Sequence, residues 1–146
     1  GEIFTTRQDQ NILSHISLIK CLEKNSIVVN ITDSVEEVLN KFRKSDKNTI
    51  AVLDSENVFF GIITREHLRP FLLNEKSPID HTVSEIAINP PFTITPTDSV
   101  MKVVKMFDEA NVWYLPLLNQ ERQFKGFVSR SKILKNYRSL LKDYSE

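Results

Sequence analysis

The side chains that could carry catalysis are scattered along the chain. His15, His67 and His81 share no spacing that clusters them, and no cysteine or paired carboxylate joins them in a motif. A metal site needs several convergent ligands, and a nucleophile needs a base beside it. Neither pattern is present, nor is a Gly-x-Ser-x-Gly elbow or a Walker-type loop. The histidines read as solvated surface residues, and no enzyme is expected. Cys21 is the single cysteine, which excludes an intrachain disulfide and fits a reducing compartment. Its apolar neighbours Ile16, Leu18, Ile19 and Leu22 make it a buried structural thiol.

Binding is the chemistry that remains. Thr64 and Ser129 each open a predicted helix, and at the start of the last one backbone donors point at an anion. Arg130 and Lys132 follow Ser129 and favour an anion or a phosphate tail, with a solvated helix face as the alternative for Lys132. Trp113 and Tyr114 could stack on a base, or cover a core edge or a dimer contact.

The elements that position these residues are written twice. Thr32-Asp33-Ser34-Val35 returns as Thr97-Asp98-Ser99-Val100, an offset of 97 − 32 = 65 residues. The offset persists without a gap through Phe42 and Phe107, Leu53 and Leu118, Gly61 and Gly126, and Arg65 and Arg130. Apart from Gly1, these are the only two glycines, and both fall at one repeat position. A fixed offset over so long a span means one structural unit built twice. A half of about 60 residues would be marginal alone, so the two copies are expected to share a core.

Residues 1–10 are polar and patternless, reading as a tail or linker. Ile12, Leu13, Ile16, Ile19 and Leu22 have helical spacing, which predicts a helix over 11–24. Ile27-Val28-Val29 is a short strand, and Asp33 with Glu36 forms a capping box for a helix striped by Val35, Val38, Leu39 and Phe42. Residues 49–53 and 58–63 make a hairpin, and Thr64 begins a helix that buries Leu68, Phe71 and Leu72. The second copy repeats the order. A short helix holds Val83 and Ile86, Phe92-Thr93-Ile94 is a strand, and Asp98 caps a helix striped by Val100, Val103, Val104 and Phe107. A hairpin over 112–118 and 124–128 and a final helix from Ser129 complete it. The fold class is α/β.

Of the 146 residues, 40% are hydrophobic and 26% charged, which argues for a globular chain over a disordered one. Formal net charge is zero, so no global field draws the chain to nucleic acid or anionic lipid. No apolar run approaches 18 residues, so the chain is not expected to span a membrane itself. Gly1 in place of a starting Met reads as a scar on a fragment of a longer protein.

Thr-Asp-Ser-Val before an amphipathic helix, an apolar strand, and then Gly61-Ile62-Ile63-Thr64 or Gly126-Phe127-Val128-Ser129 opening the last helix resemble the CBS domain. Two in tandem resemble a Bateman module, over about residues 15–142. The segment from Gly126 to Arg138, the Asn111–Leu117 stretch and the opening Asp9-Gln10-Asn11-Ile12-Leu13 resemble the CBS pair of prokaryotic ClC-type chloride channels and transporters.

That resemblance implies a linker from a membrane domain over 1–14, one CBS domain over 15–75 and a second over 76–146. It implies a homodimer, a transmembrane chloride-transport domain in the same chain, and a place on the cytoplasmic face of the bacterial inner membrane, with this fragment soluble. The function implied is regulation of a ClC-type channel or chloride/proton exchanger. The alternatives are a purely structural dimerisation module, or a nucleotide sensor of another transporter or of an enzyme such as IMP dehydrogenase. No cofactor is required. The effector implied is an adenine nucleotide (ATP, ADP or AMP) in clefts between the copies.

The resemblance places the adenine among apolar strand residues, here Val29, Ile50 and Ala51 in one copy and Thr93, Ile94, Tyr114, Leu115 and Pro116 in the other. It gives the hydroxyls of Thr64 and Ser129 to phosphate or ribose, with Arg130 beside them. An Asp three positions after the hydroxyl would hold the ribose diol, because a carboxylate accepts two hydrogen bonds. Here His67 and Lys132 stand at those positions. Lysine has no acceptor, so ordinary nucleotide binding is put in doubt in both copies.

Overall fold

Among the described residues, six α-helices and two small sheets follow the order that the repeat predicts, with differences in the N-terminal segment, at helix starts and at one strand. The structure is a computed structural model describing residues 6–144. The helices are α1 (Arg7–Leu13), α2 (Val35–Arg43), α3 (Arg65–Leu72), α4 (Val83–Ile86), α5 (Val100–Ala110) and α6 (Arg130–Tyr144). The strands are β1 (Ile27–Asn30), β2 (Thr49–Leu53), β3 (Phe59–Thr64), β4 (Tyr114–Leu118) and β5 (Phe124–Ser129). The chain divides into two compact units that are not contiguous in sequence. Unit I gathers the residues up to Lys24, then Pro91–Asn119, then those from Lys125 onward; unit II gathers Asn25–Pro90 and Gln120–Phe124.

Unit II holds a three-stranded sheet in the order β1-β2-β3, with β1 parallel and β3 antiparallel to β2. Helix α2 lays Val35, Val38, Leu39 and Phe42 into its core with Ile50, Val52, Ile63, Leu68 and Phe71. Leu72, expected to be buried, is half-exposed. The arm that follows α4 returns to β3, where Ile62 and Ile88 exchange two backbone bonds of 2.9 Å. Gly61 permits this approach. A Cβ there would stand 2.7 Å from the carbonyl oxygen of Ile88.

Unit I repeats the scheme around the hairpin β4–β5. Its core takes Val100, Val103 and Phe107 from α5, Leu115 and Leu117 from β4, and Leu13, Ile16, Leu18 and Cys21 from the N-terminal segment. That segment reaches β5 through a Leu22–Val128 bridge and a bond from Glu23 N–H to the Phe127 carbonyl. Gly126, at φ 139°, lies under Leu22.

Several expectations are corrected. The continuous helix over 11–24 is instead α1 and a 3-10 turn at Ile19–Cys21. The polar tail is structured from Thr6, which caps α1 through a capping box with Asp9; residues 1–5 lie outside the described residues. Phe92-Thr93-Ile94 is no strand and makes one parallel bridge, Ile94 to Leu117. That bridge is in the register of Val29 and Val52, 65 residues earlier. In β1 the ladder continues through a bond from Ile31 N–H to Leu53, but Pro96 occupies the equivalent donor position. Pro116 removes the donor on the other side, so the ladder stops at one residue pair.

The helix caps also differ from expectation. Ser34 and Ser99, not Asp33 and Asp98, are the N-caps of α2 and α5, accepting from Glu37 and Lys102 N–H. Each Asp turns back instead, to accept from the backbone N–H of Asn30 (2.8 Å) or Thr95 (2.9 Å).

Candidate functional site

Each unit ends its hairpin on a hydroxyl that caps the following helix. In unit II the Thr64 hydroxyl accepts from His67 N–H at 3.4 Å, and Nδ1 of His67 lies 2.8 Å from that hydroxyl and accepts from Thr64 N–H at 3.3 Å. This is a capping box with imidazole in the place usually taken by Glu or Gln. His67 is therefore half-buried and engaged, which corrects its reading as a solvated surface residue. His81 likewise pairs with Glu85 at 3.2 Å and meets the Phe71 ring edge-on, while His15 is exposed.

In unit I, Ser129 is buried and its hydroxyl accepts from Lys132 N–H at 3.2 Å. The Lys132 ammonium donates to the Leu22 carbonyl at 2.8 Å. The solvated-face alternative for Lys132 is thus corrected: its charge is spent fastening the N-terminal segment to α6. Beside it, Asn136 donates to the sulfur of buried Cys21 at 3.4 Å. Burial raises the Cys21 thiol above its ordinary value, against the opposing pulls of that bond and of the Lys132 charge.

The remaining sequence-derived residues fall on both units. Val29, Ile50 and Ala51 lie in the sheet of unit II with Thr64 and His67, and all three are buried. Thr93, Ile94, Tyr114, Leu115 and Pro116 belong to unit I with Ser129, Arg130 and Lys132. Ile94 and Pro116 are joined by a backbone bond of 2.8 Å. Arg130 does not stand beside Lys132 as an anion clamp. Its guanidinium is paired with Asp108 at 2.5 Å and lies 5.2 Å from the centroid of Trp113, which is itself half-exposed. No repeat signal marks Asp108, because the first copy carries Arg43 there. Among the described residues no group of His, Cys, Asp and Glu could hold a metal ion.

The CBS domain model matches residues 19–74 and again 83–139. The chain belongs to the CBS domain family, as a tandem pair. This CBS pair is 28% identical over 123 residues to a CBS domain-containing protein of Dictyostelium discoideum, covering 77% of the chain and 85% of that protein. It is also 28% identical over 71 residues to chloride channel protein CLC-f of Arabidopsis thaliana, covering 49% of the chain and 9% of the channel. Inosine-5'-monophosphate dehydrogenase of Halobacterium salinarum matches at 25% over 112 residues, covering 76% of the chain and 22% of the enzyme. The CBS pair thus spans less than a quarter of the channel and of the dehydrogenase. Among solved structures, CbpB from Streptococcus agalactiae superposes with a TM-score of 0.75 at 15% identity, covering 99% of this chain and 94% of that one. A structure of CbpB in complex with c-di-AMP superposes at 0.72 and 17% identity, covering 94% and 93%.

Proposed function

We propose that this CBS pair is the cytoplasmic regulatory module of a ClC-type chloride channel or exchanger. It works through the packing of its dimer rather than through ribose-clamped mononucleotides. The observation that carries the reading is the double replacement of the ribose-binding carboxylate. His67 is turned back onto Thr64, and Lys132 is tied to the Leu22 carbonyl and has no acceptor to offer. The partial likeness to CLC-f supports the choice of membrane partner. Among the described residues no helix is long and apolar enough to cross a membrane, so a transport domain would be supplied by another part of the protein. Regulation then requires that the module pack differently in two states of the gate, since coupling comes only from differential free energy between states.

A second reading is favoured by the fold shared with CbpB, whose complex holds c-di-AMP, and by the match to the dehydrogenase. In that reading the module senses a nucleotide for another transporter or an enzyme.

Thermal unfolding with millimolar ATP, ADP, AMP and c-di-AMP separates the two. The wild-type chain is expected to show no shift with the three mononucleotides. The variants His67→Asp and Lys132→Asp, which restore an acceptor, are expected to gain a concentration-dependent rise. A ligand that binds only the folded state at a hundredfold excess over its Kd stabilises it by about 2.7 kcal/mol. A rise of the wild type with ATP, ADP or AMP would overturn the packing-only reading, and a rise with c-di-AMP would put the sensor ahead. The reading frame upstream of residue 1 tests the partner: membrane-spanning segments are expected, and a catalytic domain there would sink the ClC assignment.

A further inference from the structure

We propose that the outer stripe of α6 docks onto an anionic phospholipid surface. The formal net charge of zero hides a division between the units. Unit I holds 11 lysines and arginines against 8 aspartates and glutamates, a net of +3, and unit II holds 8 against 11, a net of −3. Within unit I the surplus collects on α6, which carries five cations and one acid. Arg130 is spent on Asp108, and Lys132 on the Leu22 carbonyl. The other three, Lys135, Arg138 and Lys142, are exposed. At positions i, i+3 and i+7 they line one side of the helix over about 10 Å. Ile133 and Tyr137, on the opposite side, pack in the core of the unit. The acid, Asp143, is about 100° round the helix from Lys142.

The other copy shows that the fold does not need this stripe. Helix α3 stops at Leu72, the counterpart of Tyr137, and Asn74 turns the chain at φ 59° where Ser139 continues the helix. The counterparts of Lys135, Arg138 and Lys142 are Pro70, Leu73 and Ser77, none of them charged. The second copy has thus lengthened its helix by about two turns and charged the outer side. A helix dipole favours a cation only within the last turn. That accounts for Lys142 and leaves Lys135 and Arg138 without a role in helix stability.

Charge and shape together specify the occupant. The exposed residues over 131–142 are Ser131, Lys135, Arg138, Ser139 and Lys142, so no aromatic or amide side chain stands there to read a base. No large apolar residue is exposed on the described part of α6 either. A short row of cations between serines suits a flat anionic surface, held by charge and without insertion. Each Lys or Arg near such a surface strengthens partitioning roughly fivefold, so three give roughly a hundredfold. The proposal rests on the ClC reading for the presence of a membrane beside the module.

The test is sedimentation of the whole chain with vesicles of phosphatidylcholine carrying one-third phosphatidylserine, and with phosphatidylcholine alone. At roughly 0.01 M salt, where the Debye length is about 30 Å, the chain should sediment only with the phosphatidylserine vesicles, and about 1 M salt should release it. Lys135→Gln, Arg138→Gln and Lys142→Gln together should lower partitioning roughly a hundredfold. Lys44→Gln, Arg69→Gln and Lys76→Gln together remove the same net charge from exposed positions of unit II and should leave partitioning nearly unchanged. Circular dichroism checks that both triple variants are folded. No sedimentation at low salt, equal losses in the two variants, or retention at high salt would each overturn the proposal. So would preference for a random-sequence DNA duplex in competition, which would assign the stripe to nucleic acid. None of these results depends on the reading frame upstream of residue 1, so failure here is distinct from failure of the ClC assignment.

Discussion

Gly61 shows how one absent side chain holds a unit together. The space a Cβ would need belongs to the Ile88 carbonyl, and that oxygen also accepts the Ile62 N–H. Gly61→Ala must therefore push the arm off β3. The expected loss is roughly 1–3 kcal/mol, the usual cost of forcing extra atoms into a packed place, measured by urea denaturation. A loss within experimental error would show that the arm contributes nothing to unit II. His67 and Lys132 belong to the same scale. Their types are legible in the sequence, but whether each faces solvent or is fastened to its own backbone depends on the position of Thr64 or Leu22, which the spacing does not give.

At the scale of elements, α2 and α5 are capped one residue later than Asp33 and Asp98 suggest, and the preceding turn is the cause. Thr-Asp-Ser offers three successive residues able to cap, and the turn decides among them. Asp98 closes the turn on Thr95 N–H and pairs with Lys102 at 3.1 Å, leaving Ser99 to cap. Burial pushes the Asp98 carboxyl up, but the Thr95 bonds and Lys102 outweigh it and the net shift is downward. A carboxyl whose folded pKa lies below its unfolded value of about 3.9 stabilises the protein above that pH. The contribution is lost as pH falls through the folded value. The stability of wild type relative to Asp98→Asn, which can still accept from Thr95, should therefore fall as pH drops from about 4 toward 2. A difference constant across that range would show that ionisation of Asp98 contributes nothing. The lost strand at 92–94 is also an element-scale matter: both prolines are visible in the sequence, but their effect follows from which N–H groups the parallel ladder needs.

For the whole molecule, the partition matters more than any element. The repeat runs along the chain, whereas each compact unit takes its preceding arm from across that repeat. Residues up to Lys24 complete the unit of α5 and α6, and residues up to Pro90 complete the unit of β1–β3. Leu13, Ile16, Leu18 and Cys21 lie in one cluster with Phe107 and Leu115. Deleting residues 1–24 should accordingly strip hydrogen-exchange protection from α5 and β4 and leave β2 and β3 protected. Loss confined to the new terminus would show that unit I does not depend on the arm.

The duplication, the α/β class, the apolar stripes of α2 and α5 and the lack of a carboxylate three positions after Thr64 and Ser129 are legible in the sequence, because periodicity and residue type are local properties. It also marked both glycines, though not their reason. Tertiary contacts decide that Gly61 admits the Ile88 backbone and Gly126 the Leu22 side chain, that the Lys132 ammonium meets the Leu22 carbonyl, and that Arg130 pairs with Asp108 beside Trp113. Those outcomes depend on atoms that come together across the chain, as in the bond from Lys132 to Leu22, and on a difference between copies that no single motif records.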